Sequence, residues 1–178
     1  MLIVEGPDCV GKTTFATEVR KLAEELHEPL GYTHFGPEMA GSMPHTYLNR
    51  YAPRVVADRY HISEYVYDRV CRIGDAPLAN SHLLERTAMA LRAIGAVTVL
   101  ILPTAEHYEK ILEGVHCRGE LFSIEQCRKV RDEFELAQTL FRGHRIILRK
   151  KRPFFTPEDV RDVLQDYLHV QAIMEKGL

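Results

Sequence analysis

Near the start of the chain, GPDCVGKT (Gly6 to Thr13) sets two glycines four intervening residues apart and follows them with Lys12 and Thr13. The spacing G-x-x-x-x-G-K-[ST] is that of a phosphate-binding loop. Glycines let the backbone curl until its N–H groups converge, and a following helix adds the positive end of its dipole. In such a loop Lys12 contacts the β- and γ-phosphates and the Thr13 hydroxyl binds Mg²⁺. Gly6, Asp8, Cys9, Val10, Gly11 and Thr14 complete the expected cradle. ATP and Mg²⁺ are therefore the expected cofactors. A glycine turn with a coincidental lysine is the rival reading. It leaves unexplained why an apolar run precedes the motif and a helical pattern follows it.

Two further sites could share that chemistry. Asp58-Arg59 closes an apolar run, Arg54-Val-Val-Ala-Asp58, expected on the same edge of the sheet as the loop. An acid there can hold Mg²⁺, directly or through water, and an arginine there can bridge donor and acceptor phosphates. Alone, the pair reads equally as an ion pair at a strand end. Arg118-Gly-Glu-Leu121 lies between two helical patterns. A closing lid at about 115–123 with Arg118 would exclude water and meet developing charge. Alone, it reads equally as a solvated loop. The basic run Arg149 to Arg152 is either a solvated turn or a wall of an adenine pocket. Arg128 and Arg131, one turn apart, either face phosphates or pair with Glu125 and Glu135.

The elements that must position these residues alternate along the chain. Leu2 to Val4 reads as a buried strand and Lys12 to His27 as a helix ended by Pro29 and Gly31. Tyr32 to Phe35 is a short second strand, and Glu38 to Pro53 a loop with a short helix. Arg54 to Asp58 is a third strand, followed by helices over Ile62 to Ile73 and Ala79 to Ile94. Ala96 to Leu102 is the strongest strand signal, β-branched and apolar. Thr104 caps a helix to about Glu113, Ile124 to Phe141 is helical, and Arg145 to Leu148 is a fifth strand. Thr156-Pro157-Glu158-Asp159 announces a last helix, to about Met174. Apolar strands alternating with helices imply one α/β domain over residues 1–178. Its expected form is a P-loop NTPase three-layer sandwich, a five-stranded parallel sheet with helices on both faces. Ligands would bind beyond the carboxyl ends of the strands.

Composition excludes several classes. The 178 residues carry a formal net charge of -2, with no global basic field for general nucleic-acid binding. Cys9, Cys71, Cys117 and Cys127 form no CxxC pair, against a disulfide framework or zinc site and in keeping with a reducing cytoplasm. No apolar stretch approaches the ~20 residues needed to span a bilayer, so no membrane partner is expected. The nine histidines show no HxxxH spacing and read as ordinary surface or core residues.

Together the motifs resemble the thymidylate kinase family of nucleoside monophosphate kinases. VEGPDCVGKTT resembles its first strand and P-loop, including Glu5 and Asp8. DRYHISEYVYD resembles its DR-Y-x-x-S-x-x-x-Y segment at Asp58, Arg59, Tyr60, Ser63 and Tyr67. RGELFSIEQ, Arg118 to Gln126, resembles the lid of its bacterial members. The resemblance implies that Asp8 reaches the acceptor sugar or the metal shell and that Arg59 binds the acceptor phosphate. It also implies that Ser63 and Tyr67 line a deoxynucleoside pocket and that Arg118 is the lid arginine. Asn49-Arg50 resembles the family's base-reading segment, with Phe35, Tyr47 or Tyr51 as candidates for its stacking aromatic. The chain departs from the pattern with no cation among Pro7 to Val10, with Asp68 where Gln is frequent, and with Ser123 where a second lid arginine stands. Catalytic positive charge is then expected from the lid.

The function expected is ATP-dependent phosphoryl transfer to a deoxynucleoside monophosphate, dTMP-like, with Lys12, Asp58, Arg59 and Arg118 catalytic. The acceptor would meet Asp8, Phe35, Arg50, Arg59, Ser63 and Tyr67. Partners are small nucleotides, and a homodimer is left open. A deoxynucleoside kinase would instead want a carboxylate base near the second strand, where Glu38 is the only nearby acid. A nucleotide-binding switch or polynucleotide-end module would want an acid after the long apolar strand, where Pro103 stands.

Overall fold

The β-branched apolar segments of the chain assemble into one five-stranded sheet, entirely parallel, in the order β2-β3-β1-β4-β5. The computed structural model describes residues 1–36, 44–71, 80–114, 123–140, 145–148 and 155–177. The strands are β1 (Leu2–Glu5), β2 (Gly31–His34), β3 (Val55–Asp58), β4 (Val97–Ile101) and β5 (Arg145–Leu148). The helices are α1 (Lys12–Glu25), α2 (Pro44–Asn49), α3 (His61–Cys71), α4 (Ser81–Ala93), α5 (Ala105–Gly114), α6 (Ile124–Leu140) and α7 (Pro157–Glu175). β1 lies at the centre, with Val4 opposite Asp58 of β3 and Val99 of β4. That register brings the end of β3 level with the start of the glycine loop.

Strand periodicity divides the core into two layers. Leu2 and Val4 pack with Phe15 and Val19 of α1, Leu112 of α5 and Val163 and Tyr167 of α7. Ile3 points the other way, among Tyr47, Tyr60 and Leu91. Leu100 and Leu102 share that second face with Ile62, Val66 and Phe134 of α3 and α6. Glu5, two residues beyond Ile3, falls on the α3 side. This alternation carries a carboxylate into an otherwise apolar layer.

The expected fold is the observed one, and most element ends agree within two residues. One terminator differs. α1 stops at Glu25 because His27 turns left-handed at φ 59, with its N–H on Glu24 O (3.0 Å) and that of Glu28 on Ala23 O (2.8 Å). Pro29 and Gly31 do not end it, and Gly31 instead opens β2. Thr156 caps α7 as expected, with Pro157 in its first turn, and Asp159 returns the hydrogen bond to complete a reciprocal cap. Among the described residues, no helix is long and apolar enough to cross a membrane.

Candidate active site

The loop between β1 and α1 is built by backbone geometry. Gly6 has φ 147, and a Cβ placed on it would lie 2.3 Å from the Ile101 carbonyl oxygen. Only glycine fits where this loop crosses the end of β4. Cys9 (φ 63) and Gly11 (φ 80) are also left-handed, and no side chain caps α1. The first amides of α1 thus face the loop as an anion-binding terminus. Lys12 is buried, donates to Pro7 O at 2.6 Å and lies 3.9 Å from Asp8. Burial, reinforced by the nearby Arg59, pushes its ammonium down to about 8. It is still mostly charged at neutral pH.

Asp58, fully buried at the end of β3, gathers donors on one oxygen. Its Oδ2 accepts from Thr13 Oγ1 at 2.5 Å and Tyr32 Oη at 3.1 Å, and His34 Nδ1 stands 3.4 Å away. Its Oδ1 is buried with no hydrogen-bond partner among the described residues. A buried, unsatisfied carboxylate oxygen beside a threonine hydroxyl is a hard, oxygen-only donor set, which fits Mg²⁺. Thr13 and Asp58 would hold the ion with phosphate and water completing its shell. Among the described residues no group of three His, Cys, Asp or Glu side chains forms a protein-only metal cage.

Arg59 stands across the cleft from Thr13. Its φ of 67 is left-handed, a region arginine seldom adopts, and its N–H donates to Val4 O at 2.9 Å. The turn aims the guanidinium at Asp8 Oδ1 (2.5 Å) and over the Tyr67 ring (5.3 Å). Its Nε is buried without a hydrogen-bond partner among the described residues. Burial and the Asp8 charge push the Tyr67 hydroxyl well above its ordinary value, so it stays neutral. Asp8, Lys12, Thr13, His34, Asp58 and Arg59 line a cleft of about 330 Å³. A larger cavity of about 820 Å³ shares Cys9, Gly11 and Thr14 with it and runs between α1, α5 and the start of α7. Leu22, Ile111, Val160 and Phe155 give that cavity apolar walls, with Lys21, Lys110 and Arg161 also along it. Phe155 rests on Phe15 with ring centroids 4.5 Å apart.

The other residues singled out in the sequence scatter. Ser63 is buried, and its hydroxyl donates to Glu5, whose oxygens also accept the N–H groups of Ile62 (2.9 Å) and Ser63 (3.2 Å). Burial raises the Glu5 carboxyl to about 7 against those hydrogen bonds, and burial lowers His61, 4.0 Å away, to about 3. Phe35 packs edge-on against Tyr60 (4.9 Å), with Arg50 over its outer face (5.9 Å). Neither Phe35 nor Arg50 lines the cleft. Tyr47 is fully buried beneath Tyr60, and Tyr51 is half-buried. Arg131 pairs with Glu135, one of the two readings open for it, and Arg128 pairs with Glu109. Ser123 and Gln126 exchange hydrogen bonds that cap α6. Arg118, Glu38 and the Arg149 to Arg152 run lie outside the described residues. Tyr32 and His34 went unremarked in the sequence. Both stand on β2 two residues apart and so share the face turned to Asp58.

No protein-family model matches the chain, and no curated protein matches it in sequence. Among solved structures it is similar to the YorR protein of Bacillus subtilis in complex with phosphorylated GDP. The TM-score is 0.67 at 18% identity, over 98% of this chain and 97% of that one. It is also similar to deoxyadenosine kinase from M. mycoides with bound dCTP (TM-score 0.52, 12% identity, 95% of this chain and 99% of that one). The same kinase with bound dATP gives a TM-score of 0.51 at 10% identity, over 94% and 98% of the two chains. At these identities the likeness establishes a shared α/β fold and no more.

Proposed function

We propose that the chain is a nucleotide kinase that moves the γ-phosphoryl group of ATP to a deoxynucleoside monophosphate, dTMP-like in preference. The observation that carries this reading is that two residues lining one cleft, Asp58 and Arg59, each keep a buried polar atom, Oδ1 and Nε, without a hydrogen-bond partner among the described residues. One suits a cation and the other a phosphate oxygen, and the P-loop lies between them. The similarity of fold to a deoxyadenosine kinase and to a protein holding phosphorylated GDP is consistent with it.

In this reading Lys12 and the loop amides hold the donor phosphates, and the donor base lies in the 820 Å³ cavity against Phe155. Bound Mg²⁺ would neutralise charge on the donor phosphates beside Thr13 and Asp58. Arg59 orients the acceptor phosphate, one of whose ionised oxygens attacks the γ-phosphorus. The bond to the β–γ bridging oxygen breaks and ADP carries away the electron pair. The attacking oxygen is already deprotonated at neutral pH, so no general base is required. Asp8, Ser63, Tyr67, Phe35 and Arg50 are assigned to the acceptor side, and Arg118 to the lid. The chemistry is alignment and charge neutralisation.

A second reading, a deoxynucleoside kinase, has its own observation: two of the similar structures are a deoxyadenosine kinase. Incubating the protein with MgATP and a panel of nucleosides and nucleoside monophosphates separates the two. Diphosphate formation from dTMP or another deoxynucleoside monophosphate is the expected result. Monophosphate formation from nucleosides alone transfers the assignment to the second reading, and turnover of neither rejects both.

A further inference from the structure

We propose that Glu5 is the positioning residue of the acceptor side: by capping α3 from the end of β1, it determines where Arg59 stands over the phosphate loop. The inference rests on the kinase reading for its consequence in catalysis, but its structural content stands apart from it.

The first turn of α3 draws its cap from another element. Tyr60 occupies the position before His61, and a tyrosine side chain cannot accept the amides of the first turn. Its hydroxyl instead donates to Tyr47 O. Glu5 fills the role from another element. One carboxylate oxygen takes the Ile62 N–H at 2.9 Å, and the other takes the Ser63 N–H at 3.2 Å and the Ser63 hydroxyl. A fully buried carboxylate is held there by those donors and by the positive end of the helix dipole.

The consequence falls on Arg59, two residues before the capped helix. β1 grips the β3–α3 turn twice, through Val4 O on the Arg59 N–H and through Glu5 on α3. Between these grips Arg59 is forced into its left-handed conformation. Such a conformation persists only where surrounding contacts impose it. The imposed turn points the guanidinium at Asp8 and lays it on Tyr67. Because Glu5 immediately precedes Gly6, the carboxylate that fixes the acceptor arginine belongs to the strand that launches the phosphate loop. The two halves of the cleft are thereby held at one spacing.

The test compares wild type with Glu5→Gln, and with Glu5→Asp should the first variant fold poorly. Gln keeps one acceptor oxygen but presents an amide donor to the other N–H. Amide exchange at Ile62 and Ser63 is expected to rise about tenfold or more, and the Arg59 Nε–H resonance to shift toward its position in Asp8→Ala. In steady state, KM for dTMP is expected to rise about tenfold while KM for MgATP stays within about twofold. In an Arg59→Ala background, Glu5→Gln should add little to the KM for dTMP, since both changes remove one contact. Unmoved exchange and an unmoved Arg59 resonance would overturn the proposal. So would equal rises in both KM values, or additive effects with Arg59→Ala, because those mark a merely structural residue. If wild type turns over no monophosphate, the kinase reading fails alone, and exchange and resonance still decide the role of Glu5.

Discussion

The two ends of the cleft, donor and acceptor in the proposed reading, are made from different materials. At the donor end the working surface is backbone: Gly6, Cys9 and Gly11 hold conformations that aim amides inward, and only Lys12 and Thr13 add side chains. At the acceptor end the surface is side chain on side chain. The Arg59 guanidinium lies on Asp8 and over the ring of Tyr67. A backbone cradle recognises what all nucleotides share, their phosphates. A side-chain surface can be rebuilt one residue at a time, so it is where the choice of acceptor would reside.

The sharpest way to break the comparison is at Lys12, the main cation of the donor end. Lys12→Ala is expected to lower kcat about 10³-fold or more while the circular dichroism spectrum is unchanged. Substantial turnover in a folded variant would remove the P-loop from the mechanism. A smaller effect tests whether charge beyond the two ends is needed. With no cation among Pro7 to Val10, Arg118→Ala should reduce kcat about 10²-fold with KM for ATP nearly constant. A kcat within about twofold of wild type would mean that the two ends suffice.

The third prediction concerns the buried floor of the acceptor end. His61 titrates near 3 in the folded chain because burial disfavours its charge, against about 6.5 when unfolded. Between these values the unfolded chain binds a proton that the folded chain refuses, so this stability is present above pH 6.5 and lost as pH falls toward 3. The stability difference between wild type and His61→Gln should therefore decline with falling pH, by up to about 1.4 kcal/mol per unit. Glu5 has the opposite sign, since its folded value is raised to about 7. Its contribution grows as pH falls from 7 toward 4.5, and both proteins retain it. Denaturant titrations at several pH values measure the difference, and a constant difference contradicts the burial argument.

The smallest expected effect is at Tyr32, whose hydroxyl donates to Asp58 Oδ2 at 3.1 Å. Thr13 already satisfies that oxygen, so Tyr32→Phe should lower stability by only about 1 kcal/mol. Mg²⁺ dependence should shift by no more than about threefold. A larger loss of Mg²⁺ affinity would show that the metal side of the donor end is as dependent on side chains as the acceptor end.

How far each end was legible follows from the same contrast. The glycine loop occupies eight successive residues, and its form depends on local φ values and one helix terminus, so spacing alone points to it. The strands and helices were legible too, because apolar periodicity reports which face is buried. The other end gathers Glu5 of β1, Asp8 of the loop, Arg59 between β3 and α3, and Tyr67 of α3, separated by up to 62 positions between Glu5 and Tyr67. No periodicity announces such a meeting. Ser63 shows the difficulty: the motif marks it as a pocket residue, yet its hydroxyl lies on Glu5.

By itself, then, the sequence determined the parallel α/β architecture, the glycine loop between β1 and α1 and the level at which Asp58 ends its strand. Each follows from contacts within a few residues or from the period of burial. Only the tertiary structure decided that Glu5 caps α3, that Tyr32 and His34 crowd Asp58, and that Arg59 turns left-handed onto Asp8. Those arrangements depend on strand order and register, which place β1 between β3 and β4. A chain's local pattern specifies which face a residue takes, but the partner on that face is chosen by packing between elements distant in sequence.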